Sequence, residues 1–224
     1  MALRAVLFDL DDTLHNKTAT LSIVAETQFE GAELRRLGIV KSSWLAAFIE
    51  LNNLRIEKTE VFERLAERFS LSTDLKEQLL ADFDSNLGTL AQPYSGVFEL
   101  LAACKQQGLK TGIVTNGRDQ FQRSKIEGLG ISPFIDSVVT SGGFGVKKPH
   151  HSIFLECLHQ LSVSPEHAAF IGDDFEADMK PANALGMQPI WKSSDVSTAV
   201  AFSSDTIQEI QDFLFPNFSM PVIR

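Results

Sequence analysis

The sequence predicts an α/β protein, a Rossmann-like parallel sheet with helices on both faces plus an inserted all-α bundle of four helices. The first observation behind this prediction is a set of short apolar runs, such as Ala5 to Leu10 and Ala168 to Ile171, that alternate with helix-like stretches. Apolar runs bounded by polar residues are typical of buried parallel strands, and their alternation with helices indicates βαβ units. The second observation is a region from about Thr18 to Gly88 without proline and with almost no strand signal. This region predicts a helical insertion after the first strand.

The same patterns predict where the elements lie. Further strands are expected at 110–114, 135–139, 168–171 and 188–191, and helices at 96–107, 120–129, 152–161, 176–185 and 205–214. In the insertion, helical runs are expected at 21–37, 43–53, 60–69 and 75–87, and Gly38 and Gly88 are typical residues after a helix end. We therefore expect a core domain of residues 1–14 and 90–224 and a helical cap domain of residues 15–89.

Composition narrows the class of protein. The chain has 224 residues, 44% of them hydrophobic, and a net charge of -9, so it can bury an ordinary globular core. The negative charge argues against binding to a nucleic-acid polymer, which needs a basic surface. No apolar stretch approaches the roughly 20 residues that cross a bilayer, and the start lacks the features of a signal peptide. We expect no membrane partner, a soluble cytoplasmic protein, and two buried free thiols at Cys104 and Cys157.

Polar side chains that suit phosphate chemistry follow several predicted strands. Because the carboxyl ends of parallel strands share one edge of a sheet, residues far apart in sequence should meet there. Carboxylates with a hard cation such as Mg²⁺, an ammonium and a hydroxyl are suited to phosphoryl transfer. An Asp carboxylate can itself be the nucleophile. The residues concerned are Asp9, Asp11, Thr115, Lys147, Lys148, Asp173 and Asp178.

Four short motifs in this order resemble the signatures of the haloacid dehalogenase-like hydrolase superfamily. They are Asp9-Leu10-Asp11-Asp12-Thr13, Thr115 at the end of Gly112-Ile113-Val114-Thr115-Asn116-Gly117, Lys148 in Gly145-Val146-Lys147-Lys148-Pro149, and Gly172-Asp173-Asp174-Phe175-Glu176-Ala177-Asp178. Each motif alone is a weak signal, but all four in order, with a helical insert between the first and second, are highly specific. The resemblance spans both ends of the chain and leaves only the insert unassigned.

The resemblance implies a phosphatase that works through an aspartyl phosphate. Asp9 would be the nucleophile, and Asp11 would protonate the leaving oxygen and then activate water. The Mg²⁺ site would comprise Asp9, Asp173 and the backbone carbonyl of Asp11. The partner would be a small phosphorylated metabolite, and the oligomeric state, monomer or homodimer, stays open.

The remaining site residues are also implied by the resemblance. Thr115, the backbone of Asn116, and Lys148 would bind the phosphate, and Asp178 would orient Lys148 or the water shell of the metal. Asp174 would act indirectly or cap a helix. The insert would act as the cap that closes over the substrate.

Other residues are interpreted from their position alone. Asp12 is expected to cap a turn, and Lys147 is expected to face solvent. Four residues are expected at the entrance to the substrate site: His15, Asn16, Arg55 and Lys58.

Several functions compete with phosphatase activity. Dehalogenation of haloacids uses the same nucleophile but does not need the second acid, so Asp11 argues against it. Phosphonate hydrolysis needs a buried cap lysine that nothing in the sequence marks. A sugar-phosphate mutase keeps both Asp9 and Asp11 and stays open, as does a non-catalytic protein that binds phosphate or metal. The substrate also stays open among nucleoside monophosphates, sugar phosphates and phosphoglycolate-like acids.

Overall fold

A computed structural model describes residues 2–31, 34–54 and 56–216. The chain forms two compact units. One comprises Met1–His15 and Pro93–Arg224, and the other comprises Asn16–Gln92.

The first unit is built on a parallel sheet. Across the described residues the sheet has six strands in the order β3-β2-β1-β4-β5-β6, and every neighbouring pair is parallel. The first strand therefore lies inside the sheet, with β2 on one side and β4 on the other. The strands are β1 (Ala5–Phe8), β2 (Lys110–Thr115), β3 (Ser137–Thr140), β4 (Ala168–Gly172), β5 (Gln188–Lys192) and β6 (Phe202–Ser204).

The central strand explains why its sequence is a continuous apolar run. All four residues of β1 are completely buried, because both faces of the sheet are covered by helices and both edges of the strand are paired. Leu7 is in register with Gly112 on β2 and with Phe170 on β4. The strand thus directs the chain that follows Phe8 to the carboxyl edge of the sheet.

Helices cover the two faces. One pair, α8 and α9, packs on the face that includes Leu7 and Phe170, and α5 packs with α10 against β2 and β5. The helices of this unit are α5 (Val97–Gln106), α6 (Asp119–Gly128), α7 (Ser141–Phe144), α8 (His151–Leu161), α9 (Lys180–Ala184) and α10 (Ile207–Leu214). A π-helical turn, Phe175–Met179, precedes α9.

The second unit contains four helices in its described part. An aromatic cluster forms its core: the ring of Phe48 lies 5.8 Å from Trp44, 6.0 Å from Phe62 and 6.1 Å from Phe83, centroid to centroid. Contacts run between neighbouring helices in sequence and between the first and the last, as in a four-helix bundle. The helices are α1 (Lys17–Gly31), α2 (Lys41–Asn52), α3 (Lys58–Phe69) and α4 (Thr73–Asn86).

The predicted α/β fold is confirmed, with differences in individual elements. The first insert helix begins at Lys17, and residues 34–38 form turns rather than a continuation of it. The strand β6 was not predicted, because Phe202–Ser204 is short and only Ser204 is buried. The predicted helix 176–185 divides into the π-helical turn and α9.

Two further findings concern the composition. Cys104 and Cys157 are buried free cysteines, as predicted. Along the part of the chain that the structure describes, none of the helices has the length and apolar character needed to cross a membrane.

Candidate active site

The motif residues converge beyond the carboxyl ends of β1 and β4. Consecutive strands are added on one side of β1 up to β3, and the chain then crosses to β4 on the other side. Ligands of open α/β sheets bind at such a switch point. The backbone N–H of Asp9 donates to the Ile171 carbonyl at 2.8 Å, so the first motif continues the pairing between the two strands.

Lys148 lies at the centre of the acidic groups. Its ammonium donates to Asp9 Oδ1 at 2.6 Å and to Asp178 Oδ1 at 2.7 Å. The side chains of Lys148 and Asp178 are almost completely buried, and only 9% of the Asp9 side chain is exposed. A buried charge needs a partner of opposite sign, and here one ammonium serves two carboxylates.

Asp173 completes the acidic cluster. Asp9, Asp173 and Asp178 each place a carboxylate oxygen within 4.8 Å of the others. The Thr13 hydroxyl lies 3.4 Å from Asp173 Oδ1, and the Trp191 indole donates to the Asp173 carbonyl at 2.8 Å. These contacts hold the residue after β4 against the turn that follows β1 and against β5.

The cluster has more negative charge than Lys148 can balance. Burial and the charges of Asp9, Asp178 and Asp12 raise the pKa of Asp173 to about 8. Burial also raises the pKa of Asp178, although the Lys148 ammonium opposes that shift. Conversely, the charges of Asp9 and Asp178 raise the pKa of Lys148 despite the opposing effect of burial.

These residues fit a hard divalent cation. Oxygen donors are the ligands that Mg²⁺ prefers, and it is usually bound by one or two carboxylates together with phosphate oxygens. A cation next to Asp9 and Asp173 would remove the repulsion that raises the pKa of Asp173.

The motif after β4 is shaped by Asp178. Its carboxylate also accepts from the backbone N–H of Asp174 at 3.2 Å, and a Cβ on Gly172 would overlap this carboxylate. Glycine is therefore required at the end of β4. The Asp174 carboxylate accepts from the N–H groups of Glu176 and Ala177, both at 2.9 Å, and so caps the π-helical turn.

Asp11 has a separate set of partners. Lys125 Nζ on α6 lies 2.6 Å from each of its carboxylate oxygens, His15 Nδ1 lies 2.7 Å from Oδ1, and Gln122 Nε2 lies 3.0 Å from Oδ2. Burial would raise the pKa of Asp11, but Lys125 and His15 hold it well below the ordinary value. About a third of the Asp11 side chain, 32%, stays exposed.

Thr115 and Asn116 lie at the end of β2. The Thr115 hydroxyl accepts from Gln122 Nε2 at 2.7 Å. The Asn116 side chain bonds to both backbone groups of Lys148, accepting from its N–H at 2.8 Å and donating to its carbonyl at 3.2 Å. The Asn116 amide therefore positions the Lys148 segment, and its backbone role toward phosphate stays a prediction.

The structure shows the contacts of two residues predicted at the substrate entrance, His15 and Asn16, whose role there stays a prediction. His15 is 1% exposed and contacts Asp11, because the chain turns back after Leu14 and pairs with Asp11 and Pro93. The Asn16 side chain accepts from the Ala19 N–H at 3.0 Å, which satisfies a backbone group in the first turn of α1.

The other residues judged by position are described in part. Within the helical unit, Lys58 Nζ donates to Asn52 Oδ1 at 2.9 Å and lies 5.5 Å from the Phe83 ring. Arg55 lies outside the described residues. Lys147 is exposed, as expected for a residue that faces solvent.

Sequence reasoning missed Gln122 and Lys125. Both are at least 97% buried, with exposures of 1% and 3%. A signal for them existed: Gln122, Lys125 and Ile126 lie three and four positions apart, so they share one face of α6, and Ile126 marks that face as buried. Buried polar side chains need partners, and the nearest polar groups are those of the site.

Comparison with known proteins identifies the family of this chain. A family model described as "Haloacid dehalogenase-like hydrolase" matches residues 6–192, and the chain belongs to that family of hydrolases. The family recognised from the four motifs is therefore confirmed, as is the prediction that the protein is an enzyme.

Individual relatives match most of the length of the chain. It is 28% identical to a glyceraldehyde 3-phosphate phosphatase of Methanocaldococcus jannaschii, with 95% of this chain and 97% of that protein covered. It is 31% identical to a phosphoglycolate phosphatase of Nitrosococcus oceani, with 82% and 80% covered. The crystal structure of a HAD phosphatase from Thermococcus onnurineus superimposes with a TM-score of 0.65 at 26% identity, covering 95% of this chain and 98% of that one.

Proposed function

We propose that the protein is a Mg²⁺-dependent phosphatase that hydrolyses a small phosphomonoester through an aspartyl phosphate on Asp9. The observation that carries the proposal is the cluster of Asp9, Asp173 and Asp178, whose carboxylate oxygens lie within 4.8 Å of one another around the Lys148 ammonium. The cluster combines a nucleophile, an electrostatic clamp for phosphoryl oxygens and oxygen ligands for a cation. The names of the relatives agree with it.

In the first step Asp9 attacks phosphorus. A bond forms between a carboxylate oxygen of Asp9 and phosphorus, the bond from phosphorus to the ester oxygen breaks, and Asp11 gives its proton to that oxygen. Asp11 must bind a proton before this step. The negative charge of a bound phosphoryl group opposes the Lys125 ammonium and favours the protonated form.

In the second step water releases the phosphate. Asp11, now a carboxylate, takes a proton from the attacking water. A bond forms between the water oxygen and phosphorus, the bond between the Asp9 oxygen and phosphorus breaks, and Asp9 is again a carboxylate. The Lys148 ammonium and the Thr115 hydroxyl hold phosphoryl oxygens during both steps. Mg²⁺, when bound, would neutralise charge on those oxygens, and Asp9, Asp173 and the Asp11 carbonyl would hold it.

The substrate is proposed to be a short phosphorylated metabolite. Glyceraldehyde 3-phosphate and phosphoglycolate, which name two relatives, are both small phosphomonoesters with a carbonyl or carboxylate near the phosphate. We assign substrate selection to the helical unit, as the cap domain predicted for residues 15–89. That unit has its own aromatic core and therefore a defined shape.

The test is phosphate release from p-nitrophenyl phosphate and from a panel of phosphorylated metabolites, with and without Mg²⁺. We expect turnover that requires Mg²⁺ and is abolished in Asp9→Asn, which keeps the shape of the side chain but removes the nucleophile. The matched control is Asp119→Asn, a half-exposed aspartate at the start of α6 whose carboxylate bonds to Thr140 and Arg123 rather than to the site. Turnover without metal, or full activity of Asp9→Asn, would show that the mechanism is wrong.

A further inference from the structure

We propose that Lys125 and Gln122 on α6 are positioning residues that hold the Asp11 carboxylate beside Thr115 for proton exchange with the leaving oxygen. This inference rests on the proposed phosphatase function. It concerns two residues outside the four motifs, which enter the site from a helix rather than from a strand end. We call this pair the α6 clamp.

Lys125 contacts both oxygens of the Asp11 carboxylate. The Lys125 ammonium is equally close, 2.6 Å, to both oxygens of Asp11, so it fixes the plane of the carboxylate as well as its distance. The lysine is 3% exposed, and among the described residues its ion pair is with Asp11. Burying an ammonium costs free energy unless it is paired. A lysine placed there for solubility or general stability would lie at the surface instead.

Gln122 contacts both Asp11 and Thr115. Its amide nitrogen lies 2.7 Å from Thr115 Oγ1, 3.0 Å from Asp11 Oδ2 and 3.1 Å from the Asn116 carbonyl. One side chain therefore connects the first motif with the second. The distance between the proton carrier and the phosphate-binding hydroxyl is set by this amide.

Part of the Asp11 side chain stays accessible. The clamp residues are buried, whereas 32% of the Asp11 side chain is exposed. Lys125 and Gln122 thus contact the Asp11 side chain on one side, while part of that side chain stays accessible. Proton transfer needs heavy atoms within hydrogen-bond reach, and a misplacement of about 1 Å can cost roughly 10²-fold in rate. A clamp that aligns the carboxylate therefore affects turnover rather than binding.

The experiment compares Lys125→Met, Lys125→Arg and Gln122→Met with Arg123→Met, a control on the same helix. Arg123 is half exposed and pairs with Asp119, so its loss removes a cation of α6 without touching Asp11. Two substrates are used, p-nitrophenyl phosphate and the alkyl phosphate of the panel that is hydrolysed fastest. The alkoxide leaving group needs the Asp11 proton, whereas the nitrophenolate is a stabilised anion and needs it much less.

For Lys125→Met we expect kcat/KM, which covers the steps up to cleavage of the ester bond, to fall about 10²-fold on the alkyl phosphate and about 10-fold or less on p-nitrophenyl phosphate. Turnover at saturation also includes hydrolysis of the aspartyl phosphate, in which Asp11 serves both substrates alike, so kcat should fall on both. Lys125→Arg, which can still pair with both oxygens, should recover most of this loss. Gln122→Met should show the same substrate dependence with a smaller loss. If Lys125→Met does not fold, Lys125→Arg and Gln122→Met carry the same comparison.

Two results would overturn the clamp while leaving the phosphatase intact. One is an equal loss of kcat/KM on both substrates, which would indicate a purely structural role. The other is unchanged or increased turnover in Lys125→Met while Asp11→Asn is impaired. Failure of the wild-type protein and of Arg123→Met on every substrate would instead contradict the proposed function itself.

Discussion

At the scale of single residues, neighbouring acids have different environments. Asp11 is held by Lys125, His15 and Gln122. Asp12 has a φ of 59° and donates its backbone N–H to the His15 carbonyl at 2.8 Å. Asp and Asn tolerate this left-handed conformation better than most residues, so the type of residue at position 12 suits the turn.

This difference predicts the effect of two matched substitutions. Asp11→Asn should lower kcat about 10² to 10⁴-fold, the usual contribution of a general acid and base. Its Mg²⁺ affinity should change little, because the carbonyl of residue 11 is retained. Asp12→Asn, which keeps the turn, should have a much smaller effect. Steady-state kinetics and isothermal titration with Mg²⁺ measure both, and loss of Mg²⁺ binding in Asp11→Asn would contradict the assigned role.

The residues predicted from motifs and those missed differ in their origin. Asp9, Lys148 and Asp173 come together because strand ends of a parallel sheet share one edge, a property that topology alone predicts. Lys125 enters from a helix, and its direction depends on how α6 packs, which no motif records. The position of His15 after the first motif predicts a residue near the substrate entrance, and it does not indicate the contact with Asp11 that the turn after Leu14 produces.

At the scale of elements, the short helix α7 supports the loop that follows Thr115 at the end of β2. The Gly142 N–H donates to the Gly117 carbonyl and the Gly117 N–H to the Ser141 hydroxyl, both at 2.9 Å. A Cβ at Gly142 would lie 2.7 Å from the Gly117 carbonyl oxygen and 2.8 Å from the Asp119 nitrogen. Both neighbours are backbone atoms that cannot move independently.

Gly142→Ala should therefore lower the free energy of unfolding by about 1 to 3 kcal/mol, as for overpacked sites. The control is Gly31→Ala in α1, where an added Cβ meets no atom within 4 Å. Because alanine is the better helix former, that change should be neutral or stabilising. Urea unfolding of both variants measures the difference, and equal stabilities would show that the loop adjusts freely.

Element types were easier to predict than element ends. Gly38, a typical residue after a helix end, predicts that the first insert helix extends to Leu37, whereas the structure has turns at 34–38 and a φ of 74° at Gly38. Strand β6 has only three residues, two of them partly exposed, so it lacks the apolar run by which the other strands were found. Short elements at a sheet edge depend on tertiary pairing, here with β5.

At the scale of the whole molecule, the site opposes folding unless its charge is balanced. The protein has a net charge of -9, and its acidic cluster has three carboxylates around one ammonium. Functional sites are often arranged at the expense of stability. A bound cation that prefers the folded state would offset the loss by mass action.

This balance predicts how stability depends on pH and Mg²⁺. The pKa of Asp173 is raised by burial and by neighbouring carboxylates to about 8, whereas an unfolded Asp titrates near about 3.9. Between these values folded Asp173 binds more protons than unfolded Asp173, so its contribution to the free energy of unfolding falls as pH rises from about 4 to about 8. We expect Mg²⁺ to replace the proton, and its stabilising effect should then be larger at pH about 8 than at pH about 6. Thermal unfolding with and without excess Mg²⁺ at both values measures this, and Asp173→Asn should lose the Mg²⁺ effect. An equal Mg²⁺ shift at both pH values would contradict the assignment of Asp173 as the residue where proton and metal compete.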